Sequence, residues 1–244
     1  MGVTEAHATV VAVEECRLLL ADEGWEFADA HAHDIEAHWE RRLEDNPGFF
    51  NGTIYLTRGA TVEESVLSAR VFATDFKNFL YWRETGYGDR SVTDVFGSAL
   101  IVSADGAVIL GRQREGHINS GLAYCPGGLV DTRDILADGS VDILGSIRRE
   151  LGEETGLTTG SLMEGPGFLV TRLGQQMSVA AEFRSPLGTE ELTQRIAEYL
   201  DADPRSELAD VVAVASLGEA ASVAMPGFMQ PLLRAYFGGL SPGG

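Results

Sequence analysis

The nine residues Arg149-Glu150-Leu151-Gly152-Glu153-Glu154-Thr155-Gly156-Leu157 constrain this chain more than any other stretch, because their spacing makes physical sense only on a helix. Residues three and four apart share a helix face, so Glu150, Glu153 and Glu154 present their carboxylates together. Upstream, Ile143, Leu144, Ile147 and Leu151 recur at three- and four-residue intervals and predict an apolar stripe turned toward a core. Gly156 is placed to stop the helix as a left-handed residue. Clustering like charges opposes a helix by about 0.2–0.5 kcal/mol per pair, and a divalent cation held through oxygen would offset this. Carboxylates without thiols or imidazoles suit Mg²⁺ or Mn²⁺. A solvated acidic face would use the same spacing, in a chain with 37 acidic residues.

The wider pattern, Arg-Glu-apolar-x-Glu-Glu-x-Gly-apolar, should arise by chance at roughly one position in ten million at ordinary residue usage. It resembles the signature of the Nudix hydrolases. That resemblance implies an α/β fold, an α/β/α sandwich with a mixed β-sheet, in which this helix carries the metal ligands Glu150, Glu153 and Glu154. It also implies that Arg149 orients a glutamate through a charge-assisted hydrogen bond. The reaction expected of such a chain is hydrolysis of a nucleoside diphosphate linked to another moiety.

Cys125-Pro126-Gly127-Gly128 resembles the opening of the same signature, where Gly127 and Gly128 would let backbone approach metal and phosphate. Twenty residues separate Gly128 from Arg149, against thirteen in the family pattern, so the intervening loop is enlarged. Counting eight residues back from Arg149 lands on Val141 instead of a glutamate, and Asp142 takes that place only if the register shifts by one. The stretch from Asp131 to Ser140, with Asp138-Gly139-Ser140 as a turn, is expected to be a mobile surface loop near the mouth of the site.

With 244 residues and 44% hydrophobic content, the chain can bury a full core. We divide it into an N-terminal α+β extension, residues 1–92, packed on a catalytic domain, residues 93–240. Strands are expected between Val3 and Leu20 and a helix from Asp34 to Leu43, ended by Asn46-Pro47-Gly48. His31, His33 and His38 are spaced by two and five and read as solvated histidines at a helix start. The segment His38 to Gly52 and the stretch Thr74 to Leu80 resemble the extension of the UDP-sugar diphosphatase subgroup, which makes a UDP-sugar the first expectation and ADP-ribose the second.

Further on, Phe96 to Val102 and Val108 to Gly111 read as a hairpin around Ala104-Asp105-Gly106. Arg112 and Arg114 follow directly, placed either to reach a phosphate or to solubilise the surface. Strands are expected at Gly167–Val170, Met177–Phe183 and Val211–Ala215, with helices at Thr189–Leu200 and Pro226–Phe237. Glu182 interrupts an apolar run, and a carboxylate there is either an added ligand or general base, or an outward-facing residue of an edge strand. The base would be one of Glu150, Glu154 or Glu182. The tail from Ser241 to Gly244 is expected to be loose.

A formal charge of −19 argues against nucleic acid as the main partner, since phosphate backbones need a basic footprint. No apolar run approaches a membrane span, and no basic-apolar leader or acylation motif follows Met1-Gly2, so a cytoplasmic enzyme is the default. The implied partner is a small nucleoside diphosphate, with a homodimer left open. Cys16 and Cys125 match no zinc or redox spacing and read as buried thiols. Two other classes fit parts of this pattern. An isopentenyl-diphosphate isomerase shares the fold but needs a catalytic cysteine and a tyrosine-containing glutamate motif not found here. A non-catalytic nucleotide-sugar sensor is expected to have lost glutamates that are all present in this chain.

Overall fold

Short apolar and β-branched runs separated by turn residues fold into a mixed sheet in the computed structural model, which describes residues 8–203 and 206–242. The N-terminal part contributes β1 (Thr9–Val13), β2 (Glu15–Leu20), α1 (Glu26–Ala30), α2 (Ala32–Asp45), β3 (Thr53–Glu63), β4 (Val66–Asp75) and α3 (Phe76–Glu84). Next come β5 (Val92–Val102), β6 (Val108–Gln113), β7 (Ala123–Tyr124) and α4 (Ile143–Thr155). The chain then runs through β8 (Met163–Glu164), β9 (Phe168–Leu173), β10 (Gln176–Arg184), α5 (Thr189–Ala202), β11 (Leu208–Val214), α6 (Leu217–Ala220) and α7 (Met229–Phe237). Residues 3–7 of the expected first strand and residues 243–244 of the expected loose tail lie outside the described residues.

Among the described residues the eleven strands form one hydrogen-bonded sheet with the main order β1-β9-β10-β5-β3-β4-β2. The pairing of β5 with β10 is parallel, Asp94 facing Gln176 and Leu100 facing Glu182, while β6 pairs antiparallel with both β5 and β11. Alternation then sends odd-numbered and even-numbered residues of β5 and β10 to opposite faces. Val95, Ala99, Met177, Val179 and Phe183 pack with Ile143, Ile147 and Leu151 of α4 and with Leu192 and Ile196 of α5. Leu100, Val102 and Ala180 pack on the other face with Met229, Leu232 and Leu233 of α7. The expected α/β class with a mixed sheet between helices is what the chain adopts.

The N-terminal segment is less separate than the boundary at residue 92 implies. β1 pairs with β9, deep in the catalytic half, and β3 pairs with β5 through Thr57–Thr93 and Arg58–Val92. Residue 92 is itself the first residue of β5. The part with its own core is narrower: Trp25, Leu56, Phe72, Phe79 and Trp82 pack between the β3–β4 hairpin and the helices above it. The histidines also differ from expectation, because His31 stacks on Phe27 at 4.3 Å and His38 Nε2 sits 2.8 Å from Glu84, leaving His33 as the exposed one of the three. Both cysteines are free thiols, Cys125 buried and Cys16 partly so, and burial pushes each thiol up to about 12. No helix among the described residues is long and apolar enough to cross a membrane.

Candidate active site

The helix that carries the three glutamates is fixed at both ends. Asp142 is its N-cap, accepting from the Gly145 amide at 2.8 Å, and Gly156 closes it with φ 67°, its amide donating to the Gly152 carbonyl at 2.9 Å. Capping fully explains Asp142, so it does not replace the signature's missing acidic residue. The apolar stripe Ile143, Ile147 and Leu151 is buried against the sheet, and Gly97 of β5 lets α4 settle close: a Cβ there would meet Ile147.

With that face buried, the carboxylates turn toward the glycine loop and differ sharply in exposure. Glu154 is only 5% exposed and accepts from the Gly127 amide at 2.7 Å. The Glu150 side chain is 16% exposed and packs on Gly128, where a Cβ would come within 2.8 Å of its carboxyl carbon. Glu153, 54% exposed, faces Arg133 at 3.5 Å. A Cβ on Gly127 would overlap the Gly97 carbonyl oxygen, so this loop glycine is required for close approach, while one on Gly128 would displace the Glu150 carboxyl. Burial pushes the Glu150 carboxyl up to about 7, opposed by Arg149 and reinforced by Glu153. Burial raises Glu154 well above the usual carboxylate range, opposed by the Gly127 amide.

Arg149 is held by residues that the spacing argument missed. Its Nη1 donates to Asp134, its Nη2 donates to Glu150 Oε1 at 3.1 Å, and Asp131 Oδ2 lies 3.6 Å away. Asp134, with a side chain 1% exposed, also accepts from Ser146 Oγ at 3.0 Å and from the Asp131 amide at 2.9 Å. The enlarged segment, expected as a mobile surface loop, lies largely at the surface and is anchored at several points. Residues Thr132–Asp134 form a 3₁₀ turn with a capping box on Asp131, Ile135 bridges to Val141, and Ser140 bridges to Leu19 of the edge strand β2. Counting six residues forward from Gly128, instead of eight back from Arg149, lands on Asp134. The extra residues follow the acidic position, and Asp134 orients Arg149, which in turn orients Glu150.

Three expected site residues are elsewhere. Glu182 has an even number on β10, so alternation puts it on the α7 face, where it pairs with Arg184 in a hollow lined by Gly165 and Tyr236. The sheet separates it from α4. Arg112 donates to Asp210 at 3.1 Å and to the Gly121 carbonyl at 3.3 Å, while Arg114 donates to the Ser206 and Leu208 carbonyls at 2.9 and 3.0 Å. Arg112 ties β6 to β11, Arg114 binds the segment leading into β11, and neither lines the cleft. The arginines that do line it are Arg83 and Arg133.

The cleft in front of Glu150 and Glu153 encloses about 790 Å³. Its opposite wall comes from the N-terminal segment, with Phe49, Phe50 and Phe76, and its floor includes Gly127 and Gly128. Trp39 lies behind, stacked on Phe49 at 6.3 Å, and Tyr55 is buried in the main core. Cys125 is in the core below and does not line the cleft. Glu207, from the turn into β11, also lines it, and its negative charge helps raise Glu150 and Glu154.

Whether this set fits a cation follows from its donors. All are oxygens, which matches the preference of Mg²⁺ and Mn²⁺, and two are buried carboxylates whose charge lacks full compensation. Among the described residues no group of three acidic, histidine or cysteine side chains is placed so that it could by itself hold a metal ion. Mg²⁺ binds characteristically through one or two carboxylates with water and substrate phosphate completing its sphere, so an open carboxylate face suits it.

No protein-family model and no curated protein matches the sequence. Among solved structures, the chain is similar to the MutT protein from Methanosarcina mazei Go1, at 22% identity over 59% of this chain and 93% of that one, with a TM-score of 0.39. It is similar to RenU, a Nudix hydrolase from M. smegmatis, at 16% identity over 59% and 84%, with a TM-score of 0.39. It is also similar to a bifunctional NMN adenylyltransferase/ADP ribose pyrophosphatase from Francisella tularensis, solved with AMP and a Mn ion, at 17% identity over 66% and 46%, with a TM-score of 0.41. What the side chains of this cleft do follows from their own geometry.

Proposed function

We propose that the protein is a Mg²⁺-dependent pyrophosphohydrolase, resembling the Nudix hydrolases, that cleaves the diphosphate bond of a nucleoside diphosphate linked to another moiety. The observation that carries this reading is the juxtaposition of Glu150 and Glu154 with the Gly127–Gly128 backbone at one end of an aromatic-walled cleft. In this reading Glu150, Glu153 and Glu154 hold the cation, with Mn²⁺ able to replace Mg²⁺. Bound there, a cation would supply positive charge to offset that of the phosphoryl oxygens. Arg149, clamped by Asp134, keeps the Glu150 carboxylate in one orientation. The Gly127 amide does the same for Glu154.

A carboxylate must accept the proton of the attacking water. Glu182 is on the wrong face, so the candidates are Glu150, Glu154 and Glu207. A UDP-sugar is the preferred substrate, giving UMP and a sugar 1-phosphate, because the segment resembling the UDP-sugar diphosphatases supplies the wall with Phe49 and Phe50. ADP-ribose is second. The sensor reading draws on the absence, among the described residues, of any group of three acidic, histidine or cysteine side chains placed so that it could by itself hold a metal ion. The isomerase reading loses its cysteine, since Cys125 is buried outside the cleft. A small nucleotide and no nucleic acid is the expected ligand, consistent with the acidic cleft.

The test is kcat/KM for UDP-glucose, ADP-ribose, NADH and nucleoside triphosphates at one Mg²⁺ concentration, with released phosphate monoesters read through a phosphatase. Preference for UDP-glucose supports the full proposal, and preference for a non-uridine diphosphate overturns the substrate. Hydrolysis of none overturns the enzyme and favours the sensor.

A further inference from the structure

At the end of the cleft away from α4 lies a carboxylate that the hydrolytic scheme does not use. Asp94, the third residue of β5, is 3% exposed and lines the cleft, yet its Oδ1 has no hydrogen-bond partner. Its backbone amide donates to the Gln175 carbonyl at 2.8 Å, so the strand position is fixed. A buried carboxylate oxygen left unpaired destabilises the fold, and a donor from a bound molecule would remove that penalty. Burial pushes this carboxyl up to about 7, opposed by Arg83.

The neighbours narrow what that donor can be. Arg83, reaching in from α3, donates to Asn119 Oδ1 at 2.6 Å, and the Asn119 backbone N–H donates to Gln113 Oε1 at 2.8 Å. Guanidinium, carboxamides and a carboxylate with one unpaired oxygen thus share one end of the cleft. Beside them Phe96, two residues along the same strand face, meets Phe228 edge-on with centroids 5.0 Å apart. Aromatic surface next to mixed donors and acceptors suits a flat heteroaromatic ring with a hydrogen-bonding edge. A phosphate is disfavoured beside Asp94.

The spacing agrees. The Gly97 amide, three residues further along β5 from Asp94, donates to the Gly128 carbonyl at 3.0 Å. Three strand residues span about 10 Å, so the glycine loop and Asp94 are separated by room for a ribose.

The geometry points to Asp94 as the residue that reads the substrate's nucleobase, accepting an N–H from its hydrogen-bonding edge at Oδ1 while Arg83 donates to the neighbouring acceptor. This rests on the nucleoside diphosphate reading, and it assigns the choice of base to Asp94 and Arg83 rather than to the aromatic wall.

Two panels test it with Asp94→Asn, which keeps the shape and replaces one acceptor by a donor. One holds the sugar constant (UDP-, ADP-, GDP- and CDP-glucose), and the other holds the base constant (UDP-glucose, UDP-galactose and UDP-N-acetylglucosamine). The expected result is a change of at least tenfold in the kcat/KM ratios across bases, carried mainly by KM, with ratios across sugars within twofold of wild type. A shift confined to the sugar panel, or an equal loss on every substrate, overturns the assignment. Calorimetric binding of UMP, AMP, GMP and CMP to wild type and variant gives the same comparison without turnover. Altered base ranking there upholds Asp94 even if hydrolysis is never observed, and unchanged ranking sinks it even if hydrolysis is confirmed. Should Asp94→Asn not fold, Arg83→Gln is expected to re-rank the bases in the same assays, and an unchanged ranking overturns the pair.

Discussion

The two ends of the cleft are built in opposite ways. The carboxylate end comes from one continuous stretch, Gly127 to Gly156, whose parts hold one another: Asp134 holds Arg149, Arg149 holds Glu150, and Gly127 holds Glu154. The far end is assembled from α3, the start of β5, the β6–β7 connection and the turn before α7, and it leaves Asp94 Oδ1 unpaired. The difference indicates where each kind of work is done. The end whose groups are mutually fixed is suited to chemistry on a bond common to many substrates, and the end with an unmet hydrogen-bonding demand is suited to choosing among them.

Glu154→Gln is the strongest way to break this contrast. It should lower kcat by about 10²–10⁴-fold while leaving thermal stability near wild type or higher, because it removes a buried charge and keeps an acceptor for the Gly127 amide. Turnover within threefold of wild type at saturating Mg²⁺ would place the chemistry elsewhere. Here the structure amends the expectation from spacing alone, in which all three glutamates share an exposed face. Only Glu153 is exposed.

Asp134→Asn should come next. It strips the charge partner from Arg149 and is expected to cost about 2–3 kcal/mol in urea unfolding, less than the 3–5 of a fully buried pair because the guanidinium is partly solvated. Activity should fall with it. A loss of activity with no loss of stability would mean that Asp134 acts in the reaction itself.

These residues also mark what could be read in the sequence. The α4 helix, its apolar stripe and its Gly156 stop were legible because each depends on neighbours within a turn or two. The β5–β6 hairpin was legible for the same reason, with Gly106 at φ 91° in its turn. The β3–β4 hairpin was not, since it reverses at Glu64 and Ser65, with φ 49° and 61°, where turn chemistry favours Gly or Asn. Asp134 was missed because the register was counted only from the arginine, across the inserted residues. Glu182 was misplaced because an apolar run does not say which sheet face each residue meets. Arg83, Asp94, Asn119 and Glu207 come together only through pairing and packing across most of the chain, which no local period encodes.

A pH series sharpens the contrast from another side. Glu150 is raised from 4.5 to about 7 and Asp94 from 3.8 to about 7, each chiefly by burial. A carboxyl raised on folding stabilises most below its unfolded value and loses that contribution as pH climbs through the folded one. The Tm of the metal-free protein should therefore fall as pH rises from about 4 through 7. Glu150→Gln should flatten part of that fall, and Asp94→Asn another part. Added Mg²⁺ should raise Tm most at the alkaline end, where it binds an ionised carboxylate. A Tm that rises across this interval without metal would contradict the burial assigned to both groups.

The smallest effect is expected from Glu182→Gln. Turnover and KM should stay within twofold of wild type, since the sheet separates this side chain from the cleft. A tenfold fall in kcat would mean that the α7 face takes part after all.

The central claim is that the carboxylate end performs cation-assisted hydrolysis of a diphosphate. The most direct measurement is turnover of the best nucleoside diphosphate sugar by chelator-stripped wild-type protein as Mg²⁺ is titrated back. The account predicts negligible release of nucleoside monophosphate without metal and a saturable rise on adding it, with Mn²⁺ able to substitute. Release that is undiminished after stripping and indifferent to added metal would contradict it.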